Sequence, residues 1–141
     1  MKTVKELGLT RVVTLHRNVN DCWCLVISQA TGKKYDLIRS ELKGFMSSDY
    51  SLRRHIATQY LLRYGFSEIT FKKLITVREV MLTTTQPIII ASYDRRRSMH
   101  HLAYAENHVL YTTSDTDECF YDPAFYGYIH VENNQSSIRQ Q

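Results

Sequence analysis

The first half of the chain carries apolar residues at helical spacing. The run Cys22-Trp23-Cys24-Leu25-Val26-Ile27-Ser28-Gln29-Ala30-Thr31-Gly32 is apolar on nearly every side. Asn20 or Asp21 suits a helix N-cap, and Gly32 suits a helix end. A helix without a polar face has to be buried all round, so this segment predicts a central helix.

Three further helices and one upstream strand are predicted in the same half. Tyr35 to Lys43 keeps the helical period and stops at Gly44. Ser51 is a candidate cap for a third helix that ends at Gly65, and Val77 to Leu82 forms a fourth, short segment. The residues from Arg11 to Leu15 form either a short strand or an extended lead-in.

From Pro87 onward the period of the pattern changes to two, which is typical of strands. The predicted strands are Ile88 to Tyr93, Met99 to Ala105, Val109 to Thr112 and Gly127 to Val131, with a tight turn at Glu106-Asn107-His108. Helices first and antiparallel strands second predict an α+β fold. We expect one domain over residues 1–132 and a polar, flexible tail over 133–141.

The composition supports a single globular domain without a membrane anchor. A chain of 141 residues and 16.6 kDa corresponds to one domain. Its apolar runs, such as Pro87 to Ala91, are far shorter than the roughly 18 residues that cross a bilayer. The first residues lack the apolar core of a secretory signal, so we expect a cytoplasmic protein. Three cysteines in such a protein argue against a disulfide framework.

The basic character of the sequence is mild and appears local. There are 18 Lys and Arg against 14 Asp and Glu, and Arg95-Arg96-Arg97 accounts for most of the excess. We interpret this tripeptide as a solvated hairpin tip that can contact an anion or an acidic partner. One tripeptide does not support a nucleic-acid function, so we expect no nucleic-acid partner.

Cys22 and one histidine are the candidate catalytic pair. A thiol in the first turn of a helix is favoured as thiolate by the backbone N–H groups and the helix dipole. Cys24 points roughly 200° away around the helix and is a candidate core residue. On a strand, His101 shares its face with Ala103 and Ala105, and such small residues would let the central helix approach. We therefore choose His101 over His100 as the partner of Cys22.

Two blocks of the sequence resemble small papain-like cysteine peptidases, similar to the C39 type and often encoded by bacteriophages. The first block is Asn20-Asp21-Cys22-Trp23-Cys24-Leu25 followed by Ala30-Thr31-Gly32-Lys33-Lys34-Tyr35, and the second runs from His101 to Asp115. The resemblance implies a papain-like fold, with a buried central helix packed on a C-terminal antiparallel sheet. It also implies Cys22 as nucleophile, His101 as general base and acid, and Asp115 as the residue that orients the imidazole.

Two positions depart from the pattern of that family. Papain-like sites have a Gln about six positions before the nucleophile as part of the oxyanion hole, and His16 stands there in this chain. Asn20 or His16 would then supply the second oxyanion donor beside the backbone N–H of Cys22. Thr112 stands where similar proteins often have another Asp.

Three functions remain open at this point. The first is a thiol hydrolase or acyl transferase that cleaves an amide, isopeptide or thioester in a protein or peptide substrate. The second is an inactive papain-like binding protein of a phage, either a virion component or an inhibitor of a host protein. The third and weakest is a nucleic-acid-associated protein that uses the arginine tip. Cys-x-Cys spacing at a helix start chelates zinc poorly, so we expect neither a metal nor a cofactor.

Overall fold

The computed structural model describes residues 10–13, 22–42, 50–95, 98–112 and 120–131, which adopt an α+β fold. The helices are α1 (Cys22–Thr31), α2 (Tyr35–Glu41), α3 (Tyr50–Leu62) and α4 (Val77–Thr83). The strands are β1 (Thr10–Val13), β2 (Phe66–Thr76), β3 (Ile88–Asp94), β4 (Met99–Glu106), β5 (Val109–Thr112) and β6 (Pro123–His130). The predicted fold class is confirmed at this level.

The six described strands form one sheet in the order β1-β5-β4-β3-β6-β2. Its pairings are antiparallel, as expected, except that the edge strand β1 runs parallel to β5. A two-residue turn of Asn107 and His108 joins β4 to β5, and both residues have positive φ, at 53° and 66°. That conformation is the one such hairpin turns require, and the predicted turn is confirmed.

Several element boundaries differ from those predicted. The strand β2 was not predicted at all, although it is 11 residues long. The strand β6 begins at Pro123, four residues before the predicted Gly127. Helix α3 begins at Tyr50, so Ser51 lies inside the helix and is not its cap. Gly32 and Gly65 follow α1 and α3 with φ of 75° and 85°, as expected of helix-ending glycines.

Each face of the sheet carries its own hydrophobic core. On one face, side chains of α1, α2 and α3 pack on alternate residues of the central strands, among them Leu102 and Tyr104 of β4. On the other face, α4 packs over the intervening residues, among them Ala103 and Ala105. Which face a residue of β4 belongs to therefore decides which helices it meets. The predicted burial of the central helix is confirmed, since Trp23 and Ile27 of α1 are almost fully buried.

Candidate functional site

Helix α1 begins at Cys22, so the thiol-bearing residue occupies the first position of the helix, as predicted. The side chain of Cys22 lies outside the described part of the structure, as do the predicted cap residues Asn20 and Asp21. Cys24 is almost completely buried in the core that α1 shares with the sheet. Burial of this kind makes Cys24 a packing residue, as expected, and leaves Cys22 as the candidate nucleophile.

Contacts between the helices show at which end of the sheet α1 begins. At the start of α1, Trp23 lies under the guanidinium of Arg53 near the start of α3, 5.9 Å from ring centroid to Cζ. Just after its end, Lys33 Nζ lies 5.5 Å from the ring of Tyr64, just after α3. The two helices therefore run side by side in the same direction.

The direction of α3 then fixes the position of Cys22 relative to the strands. Helix α3 leads into β2, whose first residue Phe66 pairs with His130 at the end of β6. Both β4 and β6 run antiparallel to β3, so both begin at the end of the sheet opposite to the Phe66–His130 pair. The first turn of α1 therefore lies at the end of the sheet where β4 and its two histidines begin.

The prediction of His101 as the partner of Cys22 rests on a wrong assignment of the two faces of β4. It required the central helix to approach the sheet over Ala103 and Ala105, but those residues pack against α4. Helix α1 packs instead over Leu102 and Tyr104. Because β3 and β4 pair without a register shift from one end to the other, His100 shares the face covered by α1, and His101 projects from the opposite face.

His101 is hydrogen-bonded within the sheet. Its Nε2 lies 2.7 Å from Oγ1 of Thr112, a fully buried residue at the end of β5. Thr112 thus occupies the place beside His101 at which the resemblance implies an acidic residue. Asp115, the predicted orienting residue, lies outside the described residues, so its role stays a prediction.

Buried polar side chains gather around His101. Among the described residues, the buried polar or charged side chains are Ser92, Asp94, Thr112 and Asp122. Ser92 is paired with His101 on one side and with Ala124 on the other. Asp94 shares the face of Ser92 by strand alternation, and Thr112 is hydrogen-bonded to His101. Within the described part of the chain Ser92 Oγ has no hydrogen-bond partner. This cluster lies on the α4 face, with the sheet between it and α1.

His100 has a different environment from His101. Its ring lies 5.3 Å from that of Tyr93, in edge-to-face geometry, and 6.5 Å from that of Phe125. His100 is exposed, but partial desolvation lowers its pKa below the ordinary value of 6.5. The imidazole is therefore neutral at pH 7 and able to accept a proton. Phe125 is 40% exposed, so the aromatic group around His100 is reachable from solvent.

The sequence contained a signal for His100, although it decides the face only when the position of α4 is also known. A buried helix packs on the face of a strand that offers large apolar side chains, since these bury the most surface. In β4 that face holds Leu102 and Tyr104, and His100 shares their alternation. The helix α1 therefore packs on the large side chains of β4, whereas the prediction had it pack on the small ones.

The remaining predicted site residues are only partly described. His16 and Asn20, the candidate oxyanion donors, lie outside the described residues, as do Arg96 and Arg97. Arg95 is exposed directly after β3, as expected for a solvated hairpin tip. Its contact with an anion or a partner stays a prediction.

Replacing Thr112 with valine is expected to lower the free energy of unfolding by about 1 to 2 kcal/mol, because the hydrogen bond between His101 and Thr112 is lost while the shape of residue 112 is kept. Urea unfolding of the purified variant measures this. Thr112→Ser, which keeps the hydroxyl, is the matched control. A valine variant as stable as the native chain would show that the His101–Thr112 bond contributes nothing to stability.

The described residues contain neither a cluster of metal ligands nor a helix that could cross a membrane. In those residues no three His, Cys, Asp or Glu side chains converge as metal ligands. None of the described helices combines the length and the hydropathy that a bilayer crossing requires. Comparison of the chain with protein-family models, with curated proteins and with solved structures finds no match in any of the three.

Proposed function

We propose that this protein is a thiol hydrolase or acyl transferase with a papain-like arrangement, acting on an amide, isopeptide or thioester of a protein or peptide. One observation carries the proposal: α1 begins at Cys22 at the end of the sheet where β4 starts, and His100 belongs to the face that α1 covers. His100 therefore replaces His101 as the proposed base. The order of a central helix followed by antiparallel strands supports the papain-like comparison.

The proposed chemistry uses the two groups in sequence. His100 accepts the proton of the Cys22 thiol, and the thiolate attacks the substrate carbonyl carbon to give a tetrahedral intermediate. Backbone N–H groups at the start of α1 stabilise the oxyanion. His100 then protonates the leaving amine or thiol as the C–N or C–S bond breaks. It next removes a proton from water, which attacks the acyl-enzyme and releases the carboxylic acid and the Cys22 thiol.

The lowered pKa of His100 suits the first of these steps. A pKa below 6.5 leaves the ring unprotonated at neutral pH, which is the form that accepts a proton from a thiol. Once the thiolate has formed, its negative charge favours the imidazolium that results. Asp115 remains the proposed orienting residue of the resemblance, and the ring of Tyr93 lies edge-to-face against the imidazole.

A second candidate function is a papain-like binding protein without catalysis, for example a phage virion component or an inhibitor of a host protein. The observation that favours it is the hydrogen bond of His101 to Thr112. The histidine that the resemblance assigns to catalysis faces away from α1 and is paired with a hydroxyl where an acid is implied. In this alternative Cys22 is an ordinary thiol.

The pH dependence of Cys22 alkylation separates the two functions. Iodoacetamide labelling is followed by peptide mass spectrometry, so that Cys22, Cys24 and Cys119 are measured individually. An activated thiol reacts with undiminished rate well below pH 8.5, the ordinary thiol pKa. It also forms a Cys22-linked acyl group with a p-nitrophenyl ester, and Cys22→Ser removes that mass increment. An ordinary titration curve at Cys22 with no acyl adduct would contradict the enzyme and favour the binding protein.

A further inference from the structure

The strand β6 contains a bulge at Phe125, at the end of the sheet where β4 begins. Its register against β3 changes there, since Ala91 pairs with Tyr126 but the next residue, Ser92, pairs with Ala124. One step along β3 is thus matched by two steps along β6, and Phe125 is the extra residue. A bulge changes the direction in which a side chain projects and is often found beside an active site. The orientation of Phe125 is therefore set by the bulge and not by the alternation of the strand.

The bulge brings the ring of Phe125 to His100, which lies two strands away. The strand β3 separates β4 from β6 in the sheet, yet the ring centroids of the two residues are 6.5 Å apart. On β3 itself, Tyr93 pairs with His100, and the centroids of their rings are 5.3 Å apart. His100 and Tyr93 share the face that α1 covers. The three rings form one group, which we call the aromatic surface: Tyr93, His100 and Phe125.

The aromatic surface can be reached from solvent, whereas neighbouring rings of α1 and β6 are covered. Phe125 is 40% exposed, His100 is exposed and Tyr93 is half-buried. Trp23 and Tyr126 are only 2% exposed, and a guanidinium of α3 lies over each of them. A ligand at this end of the α1 face therefore has the rings of the aromatic surface available to it, but not those of Trp23 and Tyr126.

The role proposed for His100 decides which part of a substrate meets this surface. A general acid has to lie within hydrogen-bond reach of the atom that it protonates, so the leaving group lies against the imidazole while the acyl carbon is bonded to Cys22. Helix α1 packs mainly over β4, whereas the aromatic surface extends from His100 towards β6. The surface therefore continues from the leaving group and not from the acyl group.

We propose that the aromatic surface binds an aromatic side chain on the leaving-group side of the substrate. This inference rests on the proposed function and specifies its substrate: a polypeptide in which an aromatic residue supplies the amine of the cleaved bond. Apolar area buried against Phe125 favours binding. An edge-to-face contact, of the kind already formed between Tyr93 and His100, favours an aromatic over an aliphatic side chain.

Saturation-transfer NMR with phenylalaninamide and alaninamide tests the proposal, because these two amines differ only in the phenyl ring. The Cys22→Ser variant is used for this step, so that binding is measured without acyl chemistry. We expect the Kd of phenylalaninamide to be about tenfold lower, since its ring is removed from water. Adding Phe125→Ala is expected to abolish this difference, and adding Phe125→Tyr, which keeps the ring, is expected to retain it.

Leu82→Ala is the matched control for the loss of exposed apolar area. Leu82 is 43% exposed, close to the exposure of Phe125, but it belongs to α4 on the opposite face of the sheet. This variant is expected to keep the preference for phenylalaninamide. Circular dichroism confirms that each variant is folded.

Acyl transfer measures the same surface in the native chain. A p-nitrophenyl ester of acetic acid acylates Cys22, and an added amine then attacks the acyl carbonyl carbon. The C–N bond forms as the C–S bond breaks, and His100 takes the proton of the amine and passes it to the departing Cys22 thiolate. We expect about tenfold more N-acetyl amide, relative to acetate, with phenylalaninamide than with alaninamide. Phe125→Ala is expected to remove this excess.

Each possible result has a defined meaning. Equal affinity for the two amines, or a preference that persists in Phe125→Ala, would overturn the proposal, and so would a preference lost in Leu82→Ala. An acyl group at Cys22 that transfers equally to both amines would contradict the aromatic surface and leave the enzyme proposal intact. A preference in binding without any acyl group at Cys22 would contradict the enzyme and, with it, the assignment of this surface to a leaving group.

Discussion

Gly127→Ala is expected to lower the free energy of unfolding by about 3 kcal/mol, because the added methyl group overpacks the middle of the sheet. A Cβ atom at this position would lie 2.5 Å from the carbonyl oxygen of Ile89, which is a backbone atom of the neighbouring strand. Gly127 pairs with Ile90 of β3 on one side and Ile69 of β2 on the other. Neither neighbour can withdraw without losing strand hydrogen bonds, so the strain cannot relax locally.

Urea unfolding at neutral pH measures the effect, and Gly32→Ala is its control. Gly32 also has no side chain and has a φ of 75°, but a Cβ there would meet nothing within 4 Å. Its replacement costs only the backbone strain of the left-handed conformation, about 1 to 2 kcal/mol. If Gly127→Ala proved no more destabilising than Gly32→Ala, the close approach of β6 to β3 would be wrong.

His100→Ala is expected to slow the alkylation of Cys22 about 100-fold at pH 6.5, where an ordinary thiol of pKa 8.5 is only about 1% ionised. The reason is that the imidazole accepts the thiol proton and the resulting ion pair keeps the thiolate populated. His101→Ala is the matched comparison, because the two histidines are adjacent in β4 but project from opposite faces. It is expected to leave the rate near that of the native chain.

The two histidine variants also distinguish the competing assignments. A loss confined to His101→Ala would restore the assignment that the resemblance implies and reject His100 as the base. If neither variant changed the rate, Cys22 would have no imidazole partner and the binding protein would be the better function. Thermal unfolding of both variants shows whether a change in rate comes from the site or from a loss of structure.

The sequence was sufficient to predict those helices and turns whose ends are marked by particular residues. Helix α1 could be placed because its apolar run is followed by Gly32, whose left-handed backbone ends the helix. The β4–β5 turn could be placed because Asn107 tolerates positive φ between two apolar runs. In both cases the determining residues are neighbours in the chain, so a single sequence contains the information.

The strand β2 could not be found in the same way. It follows α3 after a three-residue turn, and its residues alternate between half-buried side chains such as Ile69 and exposed ones such as Glu68. That alternation is only a weak signal for a strand. The pairing that stabilises β2 comes from β6, which begins more than fifty residues after β2 begins. The strand therefore depends on a contact distant in sequence.

The candidate site was predictable in its location but not in its orientation. The sequence placed Cys22 at a helix start and two histidines at a strand start, and the structure puts both at one end of the sheet. Which histidine faces α1 depends on which face of β4 the helix covers, and a shift of one residue reverses the answer. Large neighbours such as Leu102 identify the face under α1 only once the position of α4 on the other face is known.

The position of β6 between β3 and β2 has a consequence for how the chain is made. Synthesis proceeds from the N-terminus, so β2 emerges from the ribosome long before the only described strand that it pairs with. Until residues 123–130 follow, Ile69 and Phe71 lack that neighbour, whereas β3, β4 and β5 can already pair with one another. A nascent chain halted before Pro123 is therefore expected to require chaperone protection that the completed chain does not.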